Sequence, residues 1–452
     1  MSKRNQEKRA ARKRDRQRRG LTPPRHGSSG PHGPGCTCGE PDDFWTSQAV
    51  SPAEFAHMLL AAAHAHADGD AAAAQACAAE LSSDRFAGQS RAVATGAGIA
   101  MTELVHRLWQ AGWLPADLWE IIRRRADAAA TDLLVDTIAA DHARYSEAAV
   151  DARWAAQIQQ LDATVWWDRG RPHLLQWAER HGAELRQALL VTITSLATLV
   201  TLPKLPRIVP LPGAARQESV PASRVDQKVL AKVRALLAKA ESTEYPEEAE
   251  ALSAKAQELM NRHAFERALL DADTQRQQTA TSIRLWLDSP YVDAKSHLVA
   301  AIAKANRCRT VFYAKLGFVA VVGEGMDLEI TELLSTSLLV QATRAMVAEG
   351  SQVTRVGTSR TRSFRQSFLV AYAARIGERL DDAGTCAHDP AEDARLLPVL
   401  AKRSRVVEET FAAMFSHTVR RSVSVTNGAG WHAGRAAADR ADLTVERDAI
   451  NA

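Results

Sequence analysis

The sequence is poor in cysteine and has no long, uninterrupted apolar segment. Five cysteines in 452 residues are too few for a disulfide scaffold of this length, which predicts a reducing, cytoplasmic environment. The longest apolar run, residues 188–202, is 15 residues long and carries five Ser or Thr side chains. Because about 20 apolar residues are needed to span a bilayer, we expect a buried helix there and no membrane partner.

Complete motifs of the common enzyme classes are also missing. The chain has no H-E-x-x-H, G-x-x-x-x-G-K-[ST], G-x-S-x-G or G-x-G-x-x-G segment. Asp293, Lys295 and His297 lie close together in the sequence, but helix capping and packing explain such a group better than catalysis does. The sequence therefore predicts no particular reaction and no cofactor, and it favours a role that is not enzymatic.

Positive charge is concentrated at the start of the chain. The net formal charge is +4, but residues 1–20 contain ten Lys or Arg and only two acids, so that the remaining residues sum to −4. A segment of this charge density would neutralise several phosphates and release counterions from a nucleic acid. The alternative is a solubilising tail. We call residues 1–42 the basic arm, and its ten clustered cations are Lys3, Arg4, Lys8, Arg9, Arg12, Lys13, Arg14, Arg16, Arg18 and Arg19.

A second basic stretch lies in the last third of the chain. Residues 351–377 contain no acid, and four of their cations are candidate nucleic-acid-binding residues: Arg355, Arg360, Arg362 and Arg365. Phe364, Phe368 and Tyr372 are spaced by four, which places them on one helical face. Such a face would either stack on bases or pack in a core, and core packing is favoured.

The segment HGSSGPHGPGCTCG contains four side chains that could bind a zinc ion, namely His26, His32, Cys36 and Cys38. Zinc takes nitrogen and sulfur ligands in this number. The C-x-C pair is tighter than the usual spacing, and a Gly/Pro-rich loop supplies no groups that would orient the ligands. Zinc binding is therefore a hypothesis that competes with a loop without a metal.

The hydrophobic pattern predicts a mainly α protein with a small α+β domain. The basic arm has no apolar face to bury, and we expect it to be disordered. A helical domain is predicted for residues 43–202, followed by a Pro-rich linker at 203–223 and a helical hairpin at 224–270. The α+β domain and its C-terminal helices are predicted for residues 281–445.

Amphipathic periodicity gives approximate element boundaries. The expected helices of the first domain are 52–67, 70–82, 88–111, 115–141, 146–162 and 172–202. In the second domain we expect strands at 283–287, 308–313 and 318–323, and helices at 293–305, 327–349, 361–381 and 395–421. The resulting order is β-α-β-β-α followed by further helices. Gly430 and Gly434, four residues apart, would permit close helix packing.

The predicted hairpin carries the most specific pattern in the chain, because its halves read KVRALLAKAEST and PEEAEALSAKAQELM. It closely resembles the bacterial family known as domain of unknown function 2786. The later segments VVGEGMDLEITELLSTSLLVQA and SFRQSFLVAYAARIGERL resemble the companion domain that usually follows, and LWQAGWLPADLW and VDARWAAQI resemble longer members. The resemblance covers roughly residues 50–440. It implies no established activity, so it transfers no functional residue.

These features together favour a cytoplasmic, non-catalytic protein that binds nucleic acid through its basic segments. A protein-interaction scaffold and an enzyme with an unrecognised site in the α+β domain are the alternatives. Nucleic-acid binding predicts basic residues gathered on one surface, and a scaffold predicts a large exposed apolar patch. An enzyme predicts a concave pocket with converging titratable groups.

The basic arm should be dispensable for folding, because it carries no periodic apolar residues. We expect a chain that starts at Phe44 to melt at the same temperature as the full chain. Thermal melts of the two proteins under identical conditions check this. A melting temperature lowered by several degrees on truncation would show that the arm packs against the rest of the protein.

Overall fold

The structure is a computed structural model, and it describes residues 50–214, 280–352, 359–385, 390–419 and 425–441. Within these ranges the fold is mainly helical, with a three-stranded antiparallel sheet in the C-terminal part. The predicted fold class is therefore confirmed. The basic arm and the predicted hairpin at 224–270 lie outside the described residues.

Eight α-helices occupy residues 50–214: α1 (Pro52–Ala67), α2 (Ala71–Leu81), α3 (Ser90–Gln110), α4 (Pro115–Arg125), α5 (Ala128–His142), α6 (Ala152–Gln160), α7 (His173–His181) and α8 (Leu185–Val200). Their starts follow local capping signals. Ser51 and Glu54 form a capping box at the start of α1. The carboxylate of Asp70 accepts a hydrogen bond from the backbone N–H of Ala73 at 3.1 Å and caps α2.

Two of the predicted helices are each divided in two, and their predicted boundaries are wrong. The helix expected at 115–141 is α4 and α5, because the chain is extended at Ala126 and Asp127 caps a new helix. The helix expected at 172–202 is α7 and α8, because Gly182 adopts a left-handed conformation with φ of +59° that ends α7. The hydrophobic period of the sequence therefore continues through both breaks, but a local capping residue interrupts the helix at each of them.

Four tryptophans of this helical part pack in its core. The buried members are Trp109, Trp113, Trp154 and Trp177. The indole N–H of Trp113 donates to the carbonyl oxygen of Pro203 at 2.8 Å, which satisfies the polar group of a buried aromatic side chain. Trp166 differs from these four, since 37% of it is exposed.

The sheet consists of β1 (Thr281–Trp286), β2 (Arg309–Tyr313) and β3 (Phe318–Gly323), in the order β1-β3-β2 with both pairs antiparallel. The central strand β3 is buried along its whole length, as its continuous apolar sequence indicates. Helix α9 (Val292–Ala305) connects β1 to β2, and helix α10 (Gly325–Ala348) follows β3. The predicted order β-α-β-β-α is thus confirmed.

Three further helices complete the described C-terminal part: α11 (Thr361–Thr385), α12 (Pro390–Met414) and α13 (Gly428–Asp439). Helix α11 packs against α9, α10 and α13 around a second apolar core. Helix α12 lies against the sheet, where Val407 and Phe411 contact Val322. The prediction of 395–421 for α12 is wrong at both ends.

A buried ion pair joins the sheet to the helical part. Arg284 of β1 pairs with Asp117 of α4, and each of the two side chains is only 4% exposed. Arg284 also donates to the carbonyl oxygens of Gly112 and Pro206, at 2.8 Å each. The indole N–H of Trp286 donates to the Asp117 carboxylate at 3.0 Å. These hydrogen bonds offset the cost of removing both charges from water.

The apolar core of the helical part continues into the sheet. Phe318 and Ala320 of β3 belong to the same buried cluster as Leu205 and Val209, which lie in the predicted Pro-rich linker. Gly112, with φ of +89°, approaches Leu205 so closely that a Cβ atom would lie 2.2 Å from the carbonyl oxygen. The described part of the linker is therefore packed. Independent folding of the two domains stays a prediction, which these contacts do not favour.

Replacing Asp117 with Asn should destabilise the protein by about 3–5 kcal/mol, because it leaves the buried guanidinium of Arg284 without a counter-charge. Urea unfolding measures this change. The matched control is Glu80→Gln, which removes the exposed Arg85–Glu80 pair and should cost less than about 1 kcal/mol. If the two variants lose similar, small amounts of stability, the buried pair does not hold the parts together.

Candidate nucleic-acid interface

Within the described residues, the second basic stretch comprises residues 351–352, residues 359–360 and the first part of helix α11. Two hydrogen bonds join its two ends: Arg360 N–H donates to the Gln352 carbonyl oxygen at 2.8 Å, and Gln352 N–H donates to Thr361 Oγ1 at 3.0 Å. The start of α11 therefore has a fixed position beside the end of α10. Sequence reasoning missed Gln352 and Thr361, because a contact between positions nine apart has no local signature.

The aromatic side chains of α11 are fixed by packing in the core. Phe364, Phe368 and Tyr372 are each at most 3% exposed and lie in the second apolar core. The core interpretation of this aromatic stripe is confirmed, and these rings are not available as a stacking platform for bases.

Helix α13 holds the start of α11 by close backbone contact. Cβ atoms added at Gly430 and Gly434 would lie 2.4 Å and 2.2 Å from the carbonyl oxygens of Phe364 and Phe368, respectively. The predicted close packing at these glycines is confirmed. The N–H of Asn427 also donates to the hydroxyl of Ser367 at 3.1 Å.

Three of the predicted phosphate-binding arginines lie at this end of α11. Arg360 and Arg362 are exposed, and Arg365 is partly buried. None of the three pairs with a carboxylate in the part of the chain that the structure describes. The Nε atom of Arg365 is buried and has no hydrogen-bond partner. We call Arg360, Arg362 and Arg365 the arginine face.

The second half of α11 shows the opposite behaviour. Guanidinium nitrogens of Arg375 lie 3.0 Å from a carboxylate oxygen of Glu378 and 2.5 Å from one of Asp439. A guanidinium nitrogen of Arg435, in α13, lies 2.7 Å from a carboxylate oxygen of Glu378. Hydrogen bonds from Arg435 and Arg375 lower the pKa of Glu378 to about 2. Arg375 and Arg435 thus pair with acids, while Arg379 donates to the carbonyl oxygens of Ala438 and Ala441. The arginine face lies in a stretch of the sequence that has no acid.

The other predicted site residues lie outside the described residues. These are the ten cations of the basic arm, Arg355, and the candidate zinc ligands His26, His32, Cys36 and Cys38. Their roles stay predictions. Among the residues that are described, no group of three or more His, Cys, Asp or Glu side chains could hold a metal ion.

The residues around Asp293 form the start of helix α9. Tyr291, in a left-handed conformation, is the N-cap, and Asp293 lies in the first turn. The amino group of Lys295 donates to the carbonyl oxygen of Asp288 at 2.7 Å, and burial lowers the pKa of Lys295. Burial also lowers the pKa of His297. Asp293 thus lies in the first turn of the helix and not at the capping position that the sequence favoured.

Cys308 is packed between β2 and α10 and is not a reactive thiol. It is 4% exposed, and burial raises its pKa to about 12. A Cβ atom at Gly323 would lie 2.4 Å from its Sγ atom, so no space for a reactant exists on that side. Because the thiolate is the nucleophile, this cysteine is inert at neutral pH.

A family comparison concerns the segment before the sheet. Residues 228–267 match the family model described as Protein of unknown function (DUF2786). The match covers 40 of the 452 residues and shows that this segment is similar to that family. This match confirms the resemblance of the predicted hairpin, although the DUF2786 domain lies outside the described residues. The companion domain and the bacterial origin stay predictions. No curated protein and no solved structure matches the chain, and the DUF2786 description assigns no activity.

The described helices differ from membrane-spanning segments in length or in apolarity. No single one combines the length and the apolarity needed to cross a bilayer, and only α7 and α8 together reach them, across a bend of 111°.

Replacing Gly434 with Ala should destabilise the protein by about 1–3 kcal/mol, because the added methyl group overpacks the contact with Phe368. Thermal or urea unfolding measures the loss. Gly428→Ala is the matched control on the same helix, since nothing lies within 4 Å of its added Cβ atom. Equal stability of the two variants would contradict the close packing of α13 on α11.

Proposed function

We propose that the protein binds nucleic acid in a bacterial cytoplasm without catalysing a reaction on it, and that the arginine face and the basic arm contact phosphates. The observation that carries the proposal is that three arginines within six consecutive residues, at and just before the start of one helix, have no carboxylate partner among the described residues. Arg355, in the same sequence stretch, would add a fourth cation.

The chemistry of the guanidinium group supports phosphate as the ligand. Its planar fork of N–H donors matches two phosphate oxygens at once. Arg375 and Arg435 already donate to carboxylates of the protein, so an incoming phosphate would have to displace an internal partner there. At the arginine face no such exchange is needed.

The position on the helix supports the same ligand. Arg362 and Arg365 lie in the first two turns of α11, where the free N–H groups and the helix dipole create a positive potential. Cations at this end are disfavoured by about 0.3–1 kcal/mol each at the surface. A bound phosphate reverses the sign of that interaction, since it is attracted by the dipole and by the arginines.

The same geometry argues for recognition that tolerates many sequences. Phosphate contacts position a nucleic acid but carry no sequence information. The aromatic side chains of α11 are buried, so they add no base stacking. We therefore expect affinities for different sequences to be similar and to depend strongly on salt.

A salt titration on duplex DNA, single-stranded DNA and RNA tests the proposal. Each phosphate contact on duplex DNA contributes about −0.9 to the slope of log K against log salt, so a basic arm that engages half of its ten cations gives a slope near −4 to −5. Deleting residues 1–20 should flatten the slope by about this amount. Replacing Arg360, Arg362 and Arg365 with Ala should flatten it by a further 2 to 3, roughly one contact each.

The control is a triple variant with the same loss of charge elsewhere. Arg85, Arg171 and Arg405 are exposed, and each pairs with a nearby carboxylate. Their replacement with Ala should leave the slope unchanged within about 0.5, because they contact no phosphate. Equal effects of the two triple variants would show that net charge alone matters. Absence of binding by the full chain at about 50 mM salt, where electrostatic affinity is strong, would rule out the proposed function.

A further inference from the structure

A cleft of about 420 Å³ lies between helices α3 and α7, far along the chain from the basic segments. Its size falls in the range of small-molecule sites, which is about 300–1,000 Å³. The lining combines apolar atoms of Ala94, Ile99 and Pro172 with the hydroxyls of Thr95 and Thr102. The remaining three lining residues are Gly98, Glu103 and His173.

No close contact with the described residues requires Gly98 to be a glycine. It lies inside helix α3, where glycine costs roughly 0.5–1 kcal/mol relative to alanine. Its neighbour Gly96 is explained by contact, because a Cβ atom there would lie 2.6 Å from the carbonyl oxygen of Pro52. Nothing lies within 4 Å of a Cβ atom built at Gly98. The missing side chain instead keeps the wall of the cleft open.

His173 lines the same cleft, and a hydrogen bond fixes the orientation of its ring. Its Nε2 atom lies 2.8 Å from the carboxylate of Asp136, which also accepts a hydrogen bond from Trp166 Nε1 at 2.9 Å. An ionised carboxylate only accepts hydrogen bonds, so Nε2 carries a proton, and whenever the ring is neutral Nδ1 carries the lone pair. Nδ1 makes no hydrogen bond within the described part of the chain.

Ring packing holds the imidazole in this orientation. The ring centroid of Trp167 lies 4.2 Å from that of His173, and the guanidinium of Arg180 lies over the ring of Trp166. No sequence motif marks this group, because Asp136 and His173 lie 37 residues apart on different helices.

The charge of the lining residues decides whether the cleft favours a cationic, a neutral or an anionic ligand. Glu103 is the one carboxylate among the lining residues that the structure describes for this cleft, and it is exposed and makes no ion pair with the described residues. We propose that the cleft binds a small organic cation, namely an ammonium group on an apolar body. Glu103 attracts the ammonium charge, the His173 Nδ1 atom accepts one of its N–H groups, and the apolar body covers Ile99 and the open position at Gly98.

Three probes with one apolar body and different head groups test this assignment: 4-phenylbutylammonium, 4-phenylbutanoate and 4-phenylbutan-1-ol. Ligand-observed NMR titrations of the full chain give their affinities. We expect the ammonium probe to bind about three- to fivefold more tightly than the alcohol, as an exposed ion pair allows. Glu103→Gln should abolish that preference while leaving the alcohol unaffected.

Filling the cleft provides the second test. Gly98→Leu should weaken the ammonium probe and the alcohol by about tenfold or more, because the added side chain occupies the space of the apolar body. Leucine favours a helix more than glycine does, so the melting temperature should not fall. Gly88→Leu is the control, since Gly88 also has open space around it but does not line the cleft. Unchanged affinity in Gly98→Leu, tighter binding of the carboxylate probe, or no binding of any probe would overturn the proposal.

Discussion

The ion pair between Arg284 and Asp117 is the interaction on which the arrangement of this protein depends. Two buried charges are tolerable only when their remaining hydrogen-bonding groups also find partners. Here the guanidinium group donates to two carbonyl oxygens and the carboxylate accepts from Trp286 and from the backbone N–H of Leu114. The pair thereby fixes which side of strand β1 meets helix α4, because a shift by one residue would leave both charges unpaired.

The position of the arginine face follows from this contact through successive layers of packing. Strand β1 pairs with β3 along its whole length, and β3 shares the apolar core of the N-terminal helices. Helix α9 packs on the sheet and on α11, while α13 packs on the other side of α11. Helix α11 is thus held on two sides, and its rigid start carries the exposed Arg360 and Arg362 and the partly buried Arg365. Rigid presentation reduces the entropy that is lost when a phosphate binds.

Local features of the fold could be predicted from the sequence, and long-range pairs could not. Hydrophobic periodicity and turn residues predict the order of strands and helices, because both depend on neighbours within a few positions. The breaks at Asp127 and Gly182 were missed, since one capping residue interrupts an apolar period without changing it. Nothing marks Arg284 and Asp117 as partners across 167 residues. Likewise, the sequence shows that residues 360–365 are rich in arginine, but only the structure shows which of these side chains have no carboxylate partner among the described residues.

We expect the sheet and the N-terminal helices to unfold as one cooperative unit. Native-state hydrogen exchange of the full chain at increasing urea is the decisive measurement, because it gives the free energy of opening for each segment. Amides of β3 and of α8 should exchange with the same opening free energy and the same urea dependence, both equal to those of global unfolding. Exchange of β3 through a lower-energy opening, while α8 stays protected, would contradict this expectation and would show two separate domains joined at the Pro-rich linker.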